Sequence, residues 1–254
     1  MRILKSLLVL LVLVAVVGAL VLWRLPAEFA WRQVQDRFSP LVLTGVHGTI
    51  WEGRADGVSL SGSDLGELEW RLEPLPLLGA RAVGDVRLRG AEVEAAGEII
   101  RGAGTIALRD FRFSVPAARL TPPQDAALHQ LEGTITGVIE EASLRGNLLQ
   151  SARGTARWSN PGSSAFPDEP MPDLVAEFAA EPDGSLAGTV RDEGEGPVAV
   201  DGRFGITLAA FSADVRLRAR DGDPDVTERL QRIGTPQGDG STRLVVHVPW
   251  FGRR

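Results

Sequence analysis

No cysteine and no tyrosine occur in this 254-residue chain, and Lys5 is its one lysine. The missing cysteines exclude a disulfide framework, a thiolate nucleophile and a thiolate metal site, so the fold must be held by its own core. His47, His129 and His247 lie far apart with no HxH or HxxxH spacing. A zinc site would need them to converge with carboxylates from distant elements. There is no GxSxG turn, no P-loop and no GxGxxG ahead of a helix, and Leu60-Ser61-Gly62-Ser63 is a plain serine-rich turn. The acidic clusters Glu140-Glu141 and Asp192-Glu193-Gly194-Glu195 lack calcium-loop spacing and read as solvated turns. No catalytic residue, metal ligand or cofactor motif emerges, so an enzyme would have to work without a recognisable constellation.

Positive charge is also short: 27 Lys and Arg face 33 Asp and Glu. Setting aside Arg2, Lys5 and Arg24 leaves 24 basic residues and a net charge of −9 beyond the N-terminus. That balance argues against a nucleic-acid binder, whose affinity rests on neutralising phosphates, and against a polybasic lipid-headgroup surface.

The one long apolar run is N-terminal. Residues 1–5 carry Arg2 and Lys5, and Ser6 to Trp23 then hold no charge. As a helix those residues span about 27 Å, close to the hydrocarbon thickness of a bilayer. Trp23 and Arg24 suit an interfacial end. This predicts a short cytoplasmic tail (1–5), a transmembrane anchor (6–23), a juxtamembrane stalk (24–40) and an exported domain (41–254). Cleavage at Val17-Gly18-Ala19 is the competing reading, although the apolar run continues through Leu20, Val21 and Leu22.

Beyond the anchor, helical spacing of Ala27, Trp31, Val34 and Phe38 predicts a helix opened by Pro26. From Leu41 onward the pattern changes to strict alternation. Glu67–Glu73, Val86–Arg89 and Ala213–Arg220 each alternate apolar and charged residues, which means antiparallel sheet with one wet face. In Ile106–Val115 the apolar parity switches at Arg109-Asp110, predicting a β-bulge or bend. Gly-Thr pairs at 48–49, 104–105, 133–134, 154–155 and 188–189 precede apolar or alternating runs and read as strand starts. Their irregular spacing excludes a solenoid. Two proline-rich segments, Pro116–Gln124 and Asn160–Pro172, read as loops outside central strands, either of which could divide the sheet near residue 120 or 165. Asp223 as cap, Pro224 as first helical residue and Gly234 as stop predict a short helix, followed by a turn at Gln237–Gly240 and a last strand, Thr242–Val248. The fold class is therefore mainly β: an elongated, curved antiparallel meander or half-barrel with two short helices.

The densest pattern runs from Val46 to Leu78. Gly48, Thr49, Ile50, Trp51 and Gly53 form a GTIWEG element, read as glycines bracketing a four-residue strand. A second element follows with Leu65, Gly66, Leu68, Trp70, Arg71, Leu72 and Pro74, then VGDVRLRG. Trp51 and Trp70 read as core residues of a first sheet, with an exposed partner contact as the alternative. With the anchor, the chain size and the C-terminal LQRIGTPQGDGSTRLVV, these elements resemble the type II secretion system protein N family, most closely over residues 40–90. That resemblance implies a bitopic protein of the bacterial inner membrane with its C-terminal domain in the periplasm. It further implies contact with other secretion subunits, secretin or inner-membrane platform proteins, and no enzymatic activity. The residues alone leave a second class open: an anchored lipid- or lipopolysaccharide-handling protein with an apolar β groove. An enzyme would require a histidine to meet a carboxylate in a cleft.

Overall fold

The computed structural model describes residues 24–74, 81–120, 131–146, 148–163, 171–207 and 209–249. The predicted anchor, 6–23, lies outside the described residues. Among those described, no helix is long and apolar enough to cross a membrane. The chain divides into two compact units, Met1–Ala91 and Glu92–Arg254. Both proline-rich segments fall inside the second unit.

The first unit begins with helix α1 (Ala27–Val34) and a 3₁₀ turn at Gln35–Arg37. Pro26 sits in extended backbone immediately ahead of the helix rather than within its first turn. Four antiparallel strands follow in chain order: β1 (Leu41–Gly48), β2 (Glu52–Leu60), β3 (Ser63–Glu73) and β4 (Ala82–Arg89). Alternation sends Leu68 and Trp70 of β3 to the face that α1 covers. There they meet Ala27, Trp31, Leu43, Val46 and a fully buried Ala55. The charged residues of the alternating runs form cross-strand ion pairs on the wet face, Arg71 with Glu52 at 2.8 Å and Arg89 with Glu69 at 2.9 Å.

The second unit contains β5 (Glu94–Arg101), β6 (Thr105–Pro116), β7 (Leu131–Arg145), β8 (Leu148–Ser163), β9 (Leu174–Ala180), β10 (Leu186–Asp192), β11 (Val198–Ile206) and β12 (Ala210–Ala219). Helix α2 (Pro224–Ile233), β13 (Thr235–Pro236) and β14 (Thr242–Pro249) complete it. Neighbouring strands are sequence neighbours through β12. β14 then pairs with β12, and the two-residue β13 lies outside β14.

The parity switch in β6 is a bulge. Ala96 pairs with Arg112 and Glu98 with Arg109, leaving Asp110 at φ +48°. The extra residue returns Phe111 and Phe113 to the face carrying Leu108. Helix α2 starts as expected, with the Asp223 carboxylate accepting from the Asp225 and Val226 amides. Its stop differs from a left-handed cap: Gly234 is extended at φ −153°. A side chain there would crowd the Arg243 carbonyl at 2.7 Å, so the glycine admits β13 beside β14. Val226 and Leu230 of α2 cover Val198, Val200, Leu217, Ala219 and Leu174, the main core of this unit.

Two sequence expectations are corrected. β8 runs through Asn160 and Pro161 to Ser163, into a segment expected to be loop. It passes because Asn160 adopts φ +49° and the pairing with β7 slips between Glu132 and Thr134. The Gly-Thr pairs are also not uniformly strand starts. Thr105 begins β6, but the pairs at 133–134, 154–155 and 188–189 lie inside β7, β8 and β10. Two of those interior glycines lie against aromatic rings. A Cβ on Gly154 would meet Phe178 at 2.6 Å, and one on Gly188 would meet Phe204 at 2.5 Å. Phe178 stands opposite both Gly154 and Gly188. An aromatic ring laid over a cross-strand glycine shields backbone that has no side chain of its own.

Candidate interaction surfaces

GTIWEG forms a hairpin end, not a strand. Gly48 closes β1 and pairs with Gly53 of β2, and Thr49, Ile50 and Trp51 turn the chain into β2 at Glu52. Gly48 has φ +86°, a region L-residues avoid. Thr49 holds the turn. Its hydroxyl donates to the Glu52 carbonyl at 3.3 Å and accepts from the amides of Trp51 and Glu52 at 3.3 and 3.2 Å. The loop is tied on both sides, because the Ile50 amide donates to the Leu25 carbonyl at 3.2 Å and the Leu72 amide to the Trp51 carbonyl at 2.6 Å.

The second element supplies the lid of this turn. Trp70 pairs across from Gly53, and its ring lies where a Gly53 side chain would be. Its indole N–H donates to the Ile50 carbonyl at 3.2 Å. The two tryptophans therefore have different tasks. Trp70 is a packing and hydrogen-bonding residue, whereas Trp51 sits half-buried in the turn itself. Gly66 fills a close approach of backbone, since a side chain there would strike Gly90 and the Arg89 carbonyl. Leu65 and Leu72 are half-buried, and Pro74 is exposed just past β3. The structure thus gathers Gly48, Thr49, Trp51, Gly53, Trp70 and Leu72 at one hairpin end, with Leu68 in the core beneath and Pro74 outside it.

The second unit carries a shallow open depression of about 760 Å³. Phe113, Thr136, Val138, Thr155 and Val175 line it together with the charged Arg112, Arg157, Arg191, Glu177 and Glu193. Arg157 donates to Asp173 at 2.9 Å and pairs also with Glu193. The Asn160 amide, and after it Arg157, hold the Asp173 carboxyl below the usual carboxylate range. No sequence motif announces this cluster, because its members come from strands far apart in the chain.

A second polar arrangement fastens the β10–β11 turn. Partial burial raises the Asp192 carboxyl, but it is outweighed by bonds from the Val200 amide (2.7 Å), the Gly194 amide (2.8 Å) and the Arg220 guanidinium. The net result is a carboxyl held below its usual range. The sequence reading took this cluster for a solvated turn. Asp192 is instead a clamp, whereas Glu193 turns to Arg157.

Of the two described histidines, His47 lies 2.9 Å from Asp56, with both side chains more than half exposed on the surface rather than in a cleft. His129 lies outside the described residues. Among the described residues no group of three His, Asp or Glu is placed to hold a metal ion.

The sequence profile described as Type II secretion system (T2SS), protein N matches residues 39–245. The chain belongs to the type II secretion system protein N family. The Type II secretion system protein N of Vibrio cholerae serotype O1 (strain ATCC 39315 / El Tor Inaba N16961) is 32% identical over 124 residues, covering 47% of this chain and 49% of that protein. The chain thus spans about half the length of this curated relative. No solved structure matches. Membership of the protein N family puts the chain with a component of the type II secretion machinery rather than with an enzyme family.

Proposed function

We propose that this protein is a non-enzymatic accessory component of the type II secretion machinery. It is held in the inner membrane by residues 6–23, and it contacts other subunits, secretin or platform proteins, from the periplasm. The observation that carries this reading is the family match across both units, residues 39–245. The charge-free run from Ser6 to Trp23 supports the anchor. The wet faces fit a scaffold: Arg71, Arg89, Arg191 and Arg243 each pair with a carboxylate on a neighbouring strand. The turn built by Gly48, Thr49, Trp51 and Gly53 under Trp70 is the contact point in this reading, with Trp51 presented to the partner.

The test has two arms. Alkaline phosphatase fused after Arg254 should be active and should fractionate with inner membrane after alkaline carbonate washing. Removing the gene should reduce secretion of a folded substrate, and a Trp51→Ala chain at normal abundance should fail to restore it. An inactive fusion, or full secretion without the gene, sinks the reading.

One observation favours a second reading, an apolar-ligand or lipid carrier. Phe113, Phe178, Phe204 and Phe211 on the ring-bearing face of the second unit are only half-buried. Lipid co-purifying in stoichiometric amount with the detergent-extracted chain, and lost in a Phe178→Asp variant, would select it.

A further inference from the structure

The first unit has two ends of unlike chemistry. At one, Pro26 bridges Thr49, and the Ile50 amide donates to the Leu25 carbonyl at 3.2 Å. At the other, the Ser61 amide donates to the Pro40 carbonyl at 3.3 Å. Helix α1 thus leads away from the first end, and β1 returns to it at Gly48. The nine residues of β2 separate the two ends by about 26 Å. The far turn is polar, Ser61-Gly62-Ser63-Asp64, whereas the near turn carries Ile50 and Trp51.

Other apolar groups join the near turn. Phe29 is 56% exposed and lies about 4.5 Å along α1 from Pro26. Pro74 is exposed just past β3, and the Leu72 amide is bonded to the Trp51 carbonyl. Charges nearby cancel in pairs, Arg32 with Glu28 and Arg71 with Glu52. An aromatic tip with a polar ring edge and little net charge suits the boundary between lipid headgroups and hydrocarbon. The tip is also within reach of one. The anchor proposed above ends at Trp23, two residues before Leu25, and two residues span at most about 7 Å. One headgroup layer is itself about 5–8 Å deep.

We infer that the hairpin end carrying Ile50 and Trp51, together with Phe29 of α1, rests in the headgroup layer of the membrane that holds the anchor. The first unit then stands on the bilayer with its 61–64 turn farthest from the lipid. Leu25 and Ile50 are joined backbone to backbone, so the link from the anchor is part of the turn and not a free tether. Apolar and aromatic side chains make the contact, not charge, and it therefore does not weaken with salt. The inference rests on the anchor of the proposed function and deepens that reading: a subunit that meets Trp51 must do so at the membrane surface.

The cysteine-free chain allows a test in the full-length protein, reconstituted in phosphatidylethanolamine–phosphatidylglycerol vesicles. Ile50→Cys, Phe29→Cys and Ser63→Cys would each carry a polarity-sensitive nitrobenzoxadiazole label. The exchange at Ile50 spares the turn, because its backbone amide and carbonyl make the bonds to Leu25 and Trp70. Labels at 50 and 29 should emit at shorter wavelength than the label at 63. A nitroxide on the lipid headgroup should quench them about three-fold more than the label at 63, equally at low and high salt. Equal quenching at all three positions, or quenching at 50 that is lost in high salt, overturns the inference. A chain that floats with the vesicles but shows a water-like emission at 50 overturns this inference alone. A chain that does not float with them overturns the anchor and this inference together.

Discussion

The two units solve the same problem, covering one face of an antiparallel meander, at different local densities. The first concentrates its solution in some forty residues. One helix lies over Ala55, Val46 and Leu68, and one hairpin end is locked by Thr49 and roofed by Trp70. The second spreads it over ten strands. Helix α2 buries only the end formed by Leu174, Val198, Val200, Leu217 and Ala219, and beyond it rings such as Phe178 and Phe204 cover cross-strand glycines while staying half-exposed. A concentrated solution depends on few residues; a distributed one tolerates the loss of any one of them better.

The largest expected effect tests that contrast at Trp70. Trp70→Ala removes the ring over Gly53 and the bond to Ile50, and should cost about 3–4 kcal/mol, read by urea unfolding. Phe178→Ala is the matching cut in the second unit. It uncovers Gly154 but empties no closed core, so about 2 kcal/mol is expected. If Phe178→Ala costs as much as Trp70→Ala, the second unit is as cooperatively packed as the first and the contrast fails.

The contrast also explains what was legible in the sequence. Strict alternation in Glu67–Glu73 and Ala213–Arg220 marked antiparallel strands, because one wet face forces period two. The parity switch at Arg109-Asp110 marked a bulge, and the Asp223-Pro224 pair marked a helix start. In all these cases the physics acts between residues close in the chain. GTIWEG was recognisable as a pattern but misread as a strand, since its hairpin shape depends on Trp70, seventeen residues beyond Gly53. The depression around Arg157 and the clamp at Asp192 were invisible for the same reason. Asp173, Glu193, Val200 and Arg220 reach them only through tertiary register.

Asp192 gives an intermediate effect and a pH signature. Its folded carboxyl lies below the ordinary range, so its contribution to stability is complete above an unfolded value of about 4 and fades as pH falls below that. Asp192→Asn should cost about 1 kcal/mol at neutral pH, once partial solvent exposure is discounted. The difference in unfolding midpoint between the parent chain and the variant should then shrink between about pH 4 and pH 2. A difference that stays constant over that interval would show that the side chain acts through shape rather than charge.

The smallest effect on stability is expected at Arg157, and it sharpens the comparison most for function. Its partners Asp173 and Glu193 are solvent-accessible, and exposed pairs of this kind trade protein contacts for water and salt at little net gain. Arg157→Ala should therefore leave the unfolding midpoint of the second unit within replicate scatter, at low and at high salt alike. Trp51→Ala in the first unit should lose less stability than Trp70→Ala, because its ring is not the one that roofs Gly53. If secretion falls with Trp51→Ala and is unmoved by Arg157→Ala, the hairpin end is the working contact and the depression is a solvated sheet face. If the order is reversed, the distributed second unit carries the contact, and the concentrated motif serves only to hold its own hairpin together.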